Sequence, residues 1–330
     1  MSNNIITLKN LSVNFDYQEN FLSKKRKIQA VKNINLSIRR GSFFGLVGES
    51  GSGKTTLGKA ILGATPISSG QVNFFDESRD FDLSKISKAD LKDYRRLAQL
   101  IFQDPYAALS PRMTVRDIIA EPLEVMKITR SREETDLRVR EIAKKCRLNI
   151  EHLRRFPHAF SGGQRQRISI ARALVSNPKF IVADESVAAL DVSIQADILN
   201  LLKQLQTELD LTYLFISHDL SVVAHVCDTV AVMYLGHIVE MAPSRELFTN
   251  PKHTYTKALL SSIPSIDPEK KSVAIELKGE IPSAMEPPSG CVFRTRCPRP
   301  TKGCKGGDIE MGLIEVSPGH WVDRCCANCD

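Results

Sequence analysis

The chain has 330 residues, 42% of them hydrophobic, and a net charge of +7. That length holds one large domain or two, with apolar content ample for a packed core. No run of about 18 apolar residues exists to span a membrane, the first residues lack the basic-then-apolar order of a secretory signal, and the mild basicity permits contact with nucleic acid or an anionic membrane surface while identifying neither.

Residues 5–15 alternate apolar and polar side chains (Ile6, Leu8, Leu11, Val13, Phe15) and predict a half-exposed strand. Residues 16–29 are polar and include Lys24-Lys25-Arg26-Lys27, the composition of a solvated loop, with a membrane-surface or partner contact as the alternative. Strand-like alternation resumes over 31–38. Phe15 or Tyr17 could stack on an adenine ring or could close the core at a strand end.

The apolar run 42–47 predicts a strand, and 56–62 predicts a helix. Between them Gly48-Glu49-Ser50-Gly51-Ser52-Gly53-Lys54-Thr55-Thr56 fits the phosphate-loop pattern G-x-x-x-x-G-K-[ST]. Glycines let the backbone turn tightly and aim several N–H groups at one anion, and the helix start adds its positive dipole end. Lys54 would reach the β- and γ-phosphates, and the Thr55 hydroxyl would bind Mg²⁺. A plain glycine-rich turn would not call for Lys-Thr and a flanking strand together.

Downstream, Ser69-Gly70 turns into a strand over 71–75, and 84–97 reads as a charged helix. Leu100-Ile101-Phe102 leads to Gln103-Asp104-Pro105. Segments 114–127 and 131–147 are helical by periodicity, with Ser131 and Glu134 as a capping box. After this helix-rich insert comes Phe160-Ser161-Gly162-Gly163-Gln164, a second anion-binding helix start. The buried strand 180–183 ends in Asp184-Glu185. Downstream of a phosphate loop, such a pair suits Mg²⁺ binding by Asp184 and water activation by Glu185; otherwise it is an acidic helix start. Residues 192–209 form an amphipathic helix. Strand 212–216 ends at Ser217-His218-Asp219, where His218 is a candidate for the γ-phosphate. Residues 229–241 give two strands joined at Leu235-Gly236, and helices at 244–249 and 254–262 close the body.

Taken in order, Gly48–Thr55, Gln103, Ser161-Gly162-Gly163-Gln164, Asp184-Glu185, Ala189-Leu190-Asp191 and His218 resemble the Walker A, Q-loop, signature, Walker B, D-loop and switch histidine of an ABC-transporter ATPase subunit. The resemblance covers roughly residues 5–262. It implies an α/β P-loop NTPase cassette: a RecA-like mixed sheet, an antiparallel β part and a helical subdomain at about 104–160. It further implies a head-to-tail dimer in which each ATP lies between one subunit's phosphate loop and the other's Ser161-Gly162-Gly163. Glu185, His218 and Gln103 would then be catalytic. Thr55, Gln103 and Asp184 would hold Mg²⁺. Residues 48–56, Phe15, Gln164 and Asp191 would belong to the nucleotide site.

The segments Ile101–Tyr106, Leu109–Val115, Leu190–Ala196, Val232–Gly236 and Pro251–Leu260 look like the dipeptide/oligopeptide importer branch. That branch implies a second ATPase subunit, two membrane-spanning permeases and an extracytoplasmic binding protein. It places the chain peripherally on the cytoplasmic side of the cell (inner) membrane, with no nucleic acid expected. Ser186 departs from the proline usual after the catalytic Glu. The rival class is a soluble ABC ATPase acting on nucleic acid or ribosomes, for which tandem cassettes or a coiled-coil insertion would speak. Related importers also take sugars, nickel complexes or glutathione.

Six of the eight cysteines crowd the last 40 residues. In the reducing cytoplasm they should be reduced or metal-bound rather than paired. Residues 264–290 read as a linker, so the division falls at 1–262 and 263–330. Cys291, Cys297, Cys304 and Cys325 lack the paired spacing of common zinc ribbons. Within the importer branch the pattern resembles a four-cysteine [4Fe–4S] site. Cys326 competes for the fourth position, Cys326-x2-Cys329 keeps zinc open, and free or oxidisable thiols remain a third reading.

Overall fold

The computed structural model describes residues 3–18, 26–77, 79–263, 275–306 and 309–327. The chain runs β1 (Asn4–Tyr17), β2 (Arg26–Arg39), β3 (Phe43–Val47), α1 (Lys54–Ile61), β4 (Ser69–Phe74), β5 (Phe81–Asp82), α2 (Lys88–Leu97), β6 (Ala98–Ile101), α3 (Pro105–Ala108), α4 (Val115–Val125), α5 (Arg132–Lys145), α6 (Gly162–Leu174), β7 (Phe180–Asp184), α7 (Val192–Leu209), β8 (Thr212–Ser217), α8 (Leu220–Val226), β9 (Thr229–Tyr234), β10 (His237–Pro243), α9 (Ser244–Thr249), α10 (Thr254–Ser261), α11 (Lys302–Gly306), β11 (Leu313–Ser317) and β12 (His320–Asp323). These elements gather into two compact units, one of residues 1–6, 38–43 and 73–216, the other of 7–37, 44–72 and 217–330.

In the first unit β7 lies between β6 and β8, parallel to both, with Phe180 opposite Ala98 on one side and Thr212 on the other. Every residue of β7 and of β8 is buried. Parallel strands covered on both faces need such continuous apolar runs. Helices α4 and α5 of the helical insert pack on each other and on α6, which follows it. The helix expected over 84–97 begins only at Lys88, because the Ser87 hydroxyl accepts the Asp90 N–H at 3.1 Å and caps it there. The capping box expected at Ser131 forms only in half. Ser131 Oγ accepts the Glu134 N–H, but the Glu134 carboxylate accepts the Arg130 N–H (2.9 Å) instead.

In the second unit β9 runs parallel to β3 and antiparallel to β10. The β9–β10 turn takes positive φ at Leu235 (43°) and Gly236 (82°), as a tight hairpin demands. Residues 26–29, read as loop, open β2 instead; Lys24 and Lys25 lie outside the described residues. Beyond the residues read as a linker, the tail contributes a hairpin for which no strand was expected. Its β12 pairs antiparallel with β10, Glu240 opposite Val322, and β11 pairs with β12. At this seam Glu240, fully buried, accepts the Lys252 N–H (2.7 Å) and the His253 N–H (3.0 Å) and lies 2.7 Å from His320 Nε2.

Candidate nucleotide site and cysteine cluster

The phosphate loop belongs to the second unit. Gly48 (φ 149°) passes so close to β9 that a Cβ there would meet the Met233 carbonyl oxygen at 2.1 Å, and a Cβ on Gly53 (φ 106°) would meet the Ala30 carbonyl oxygen at 2.2 Å. Only glycine fits a backbone pressed this tightly against another. The Ser52 carbonyl accepts the Gly236 N–H at 2.9 Å, which ties the loop to the β9–β10 turn. Lys54 is buried, and its ammonium donates to the carbonyls of Gly48 and Glu49, both at 2.8 Å. The remaining loop residues, Ser50, Gly51, Thr55 and Thr56, are exposed or half-buried, and Lys54 to Thr56 open α1. His218 is exposed just before α8, whose first turn is capped by the Asp219 carboxylate. Phe15 and Tyr17 end β1 at 42% exposure each, so neither closes a core.

Two residues outside the nucleotide site expected from the sequence hold this loop. The Tyr255 hydroxyl accepts the Glu49 N–H at 2.9 Å, and Arg296 forms a two-pronged ion pair with the Glu49 carboxylate (2.7 and 3.3 Å). Tyr255 belongs to the segment Pro251–Leu260, given above only for its family likeness, and Arg296 lies between Cys291 and Cys297.

The first unit holds the carboxylates. Asp184 ends β7, buried. The N–H of Glu185 continues the ladder by donating to the Ile216 carbonyl at 2.9 Å. Glu185 takes φ 46°, a left-handed conformation costing a non-glycine residue roughly 1–2 kcal/mol. Its carboxylate accepts a hydrogen bond from Gln103 Nε2 at 2.6 Å, so two predicted catalytic residues meet directly. The segment after Gln103 is tied to α6: Arg165 stacks over the Tyr106 ring (4.1 Å), and Arg172 donates to the Ala108 carbonyl (2.7 Å).

Helix α6 begins at Ser161 with a complete capping box. The Ser161 hydroxyl accepts the Gln164 N–H, and the Gln164 side chain accepts the Ser161 N–H at 3.0 Å. Gly162 and Gly163 therefore start a helix with fixed N–H directions, the geometry an anion needs. Asp191, exposed, stands at the start of α7.

Of the four cysteines expected to converge, Cys291 and Cys325 do so, with sulfurs 3.0 Å apart, and Cys326 joins them at 3.8 Å from Cys325. A hydrogen bond from Cys325, and then one from His253, lowers the Cys326 thiol. Burial, and then the charges of Cys326, Cys291 and Cys304, push the Cys297 thiol up. Cys304, buried, accepts the Thr301 hydroxyl at 3.1 Å. The sequence reading missed His253. It is fully buried, and a ring nitrogen of His253 and the sulfurs of Cys325 and Cys326 all lie within 4.8 Å of one another. Because His253 Nδ1 accepts the Tyr255 N–H, a neutral ring carries its proton on Nε2. Cys329 lies outside the described residues.

Residues 31–188 match the ABC transporter family, and residues 239–304 match the oligopeptide/dipeptide transporter C-terminal region. The chain is 47% identical over 306 residues to the oligopeptide transport ATP-binding protein AppF of Bacillus subtilis, covering 92% of this chain and 91% of AppF. It belongs to the oligopeptide/dipeptide branch of the ABC-transporter ATPases. The oligopeptide transport ATP-binding protein OppF of Salmonella typhimurium is 46% identical, over 89% of this chain and 88% of OppF. Among solved structures, a dimeric ATP-binding cassette in a post-hydrolysis state bound to ADP and Pi is 30% identical. It covers 73% of this ATPase and 99% of that cassette, with a TM-score of 0.63. The expected cassette fold and ATP hydrolysis therefore stand for this ABC ATPase. Among the described residues no helix is long and apolar enough to cross a membrane.

Proposed function

We infer that this ABC ATPase is the ATP-hydrolysing subunit of a peptide importer. The observation that carries the reading is the presence in one chain of both matched regions, the ABC transporter region and the oligopeptide/dipeptide transporter C-terminal region.

Each part of the site takes a role from its chemistry. The phosphate loop 48–56 and Lys54 bind the β- and γ-phosphates, and Phe15 or Tyr17 takes the adenine. The donor set for Mg²⁺ is all oxygen: the Thr55 hydroxyl, the Asp184 carboxylate and the Gln103 amide oxygen, left unengaged by the bond that Gln103 Nε2 makes to Glu185. Hard oxygen donors suit this ion, which supplies charge neutralisation on the transferred phosphoryl group. Glu185 accepts the proton of the attacking water, and Gln103 orients its carboxylate. His218 contacts the γ-phosphate. Ser161, Gly162, Gly163 and Gln164 clamp a nucleotide held by a second ATPase subunit, with Asp191 at the same interface. Closure on ATP and opening after hydrolysis then work two permease subunits. A binding protein delivers peptide from the far side of the membrane, to whose cytoplasmic face this subunit attaches.

Residues 1–262 form the ATPase body in this reading, and residues 263–330 form a thiol-bearing tail. The tail's sulfurs, buried at Cys291, Cys304 and Cys325 and half-buried at Cys297, are soft donors of the kind a [4Fe–4S] cluster takes, with Cys291, Cys297, Cys304 and Cys325 as the set that would hold it. His253 Nε2–H serves such a centre as a donor to sulfur, not as a ligand. The 3.8 Å between Cys325 and Cys326 favours zinc as the second reading, since tetrahedral Zn–S bonds of about 2.3 Å put two sulfurs about that far apart. Anaerobically purified protein should absorb near 400 nm, on the order of iron–sulfur charge transfer; a colourless preparation containing stoichiometric zinc would reverse the assignment.

The function is tested with Glu185→Gln. ATP turnover should fall at least about a hundredfold while ATP stays bound, as loss of a general base requires. Unchanged turnover would remove Glu185 from the role.

A further inference from the structure

We propose that Arg296, a residue of the cysteine-bearing tail, is a positioning residue for ATP binding that holds the phosphate loop in register through Glu49. The inference rests on the reading of Gly48–Thr56 as the ATP site, and it adds a role for the tail that the family assignment does not contain.

The geometry is that of a strap. Arg296 and Glu49 are 247 positions apart, and both guanidinium Nη atoms reach the two carboxylate oxygens. The Arg296 side chain is only 10% exposed and that of Glu49 26%, so the pair is largely removed from water. Exposed ion pairs contribute little, whereas removing one partner of a desolvated pair strands the other charge. An aromatic wall backs the cation: Tyr234 lies beneath it, and Tyr255 and Phe293 meet Tyr234 edge to face. The same wall supplies the Tyr255 hydroxyl that accepts the Glu49 N–H. Glu49 is thereby held by its side chain and its main chain at once, both times from residues beyond 250.

Glu49 is also where Lys54 is anchored. The Lys54 ammonium donates to the Gly48 and Glu49 carbonyls, the peptides flanking the strapped residue. A shift of Glu49 therefore displaces the anchor of the lysine meant for the β- and γ-phosphates. Misplacement of about 1 Å in a positioned group is enough to weaken the interaction it serves. Arg296 touches no phosphate; it fixes the frame from which Lys54 acts. Because Cys297 follows it in sequence and Cys291 precedes it by five residues, the strap joins the thiol-bearing stretch of the tail to the nucleotide loop.

The test uses the full chain and a fluorescent ATP analogue, with steady-state ATP hydrolysis alongside. Arg296→Ala should weaken analogue binding by about tenfold, raising KM for ATP by a similar factor while kcat changes by less than about twofold. Arg296→Lys, which keeps the charge but not the fork, should lose about threefold. Glu49→Gln should match Arg296→Ala, and the double variant should be no weaker than either single one, since residues acting through one contact do not add. Wild-type affinity in Arg296→Ala, or losses that add in the double variant, would overturn the strap. If Arg296→Ala does not fold, Arg296→Lys and Glu49→Gln with their double variant carry the same cycle. Lys54→Ala separates the two readings. If it binds the analogue as wild type does, the site assignment itself fails; if it loses binding while Arg296→Ala does not, only the strap fails.

Discussion

At Gly163 a Cβ would stand 2.5 Å from Ile194 Cγ2, in α7, while the neighbouring Gly162 has no contact closer than 3.6 Å. The two adjacent glycines therefore serve different ends, one packing against α7 and one leaving the helix start open. Gly163→Ala sets two effects against each other. Alanine gains roughly 1 kcal/mol of helix propensity, and overpacking against a stiff β-branched side chain costs about 1–3 kcal/mol. The net expectation is a loss of about 1 kcal/mol in chemical denaturation, reversed to a gain when Ile194→Ala is added. A stabilised single variant would show that α7 yields freely there. Residue roles of this kind divide by what dictates them. Lys54, Thr55, Asp184 and Glu185 could be put forward from the sequence because phosphate and magnesium chemistry calls for those side chains at those spacings. Arg296, Tyr255 and His253 could not, because each acts by meeting a residue far away in sequence, and only the folded chain brings them together.

Among the elements, strands were easier to read than their neighbours. The buried runs of β3, β7 and β8 declare themselves by composition, and so does the β9–β10 hairpin through Leu235-Gly236. Helix α8 and the β11–β12 hairpin did not. Seven residues are too few to show a helical period, and β11 is half-exposed over most of its length, without a clean alternation. That hairpin has a structural duty. It covers the edge of β10, whose residues 237–240 are all buried, and replaces it with an edge made of Leu313, Ile314, Glu315, Val316 and Ser317. An apolar strand left unpaired is a template for another chain, and a charged residue on the outermost strand blunts that tendency. A chain ended after residue 262 would expose β10 and lose the strap on Glu49 together. It should be recovered mainly as aggregate; a monodisperse soluble product by size-exclusion chromatography would refute this duty.

On the scale of the whole molecule, the order of the motifs made the family legible, since each sits at a strand end or a helix start that the α/β pattern locates. A boundary at 262 follows the change in composition, yet the matched C-terminal region begins at residue 239, within β10, and the hairpin at 313–323 joins the strand that starts there. The two compact units interleave along the sequence, each assembled from three separate stretches. This has a consequence for the order of synthesis. The unit bearing Asp184, Glu185 and the capped α6 has all its residues once position 216 leaves the ribosome. The unit bearing the phosphate loop holds residues 44–72 from early on, but must wait for Arg296 and β12, both made after position 216, before its loop is fastened and its sheet edge is covered. On the proposed strap, the phosphate loop thus gains its fastening only after every residue of the carboxylate-bearing unit has been made.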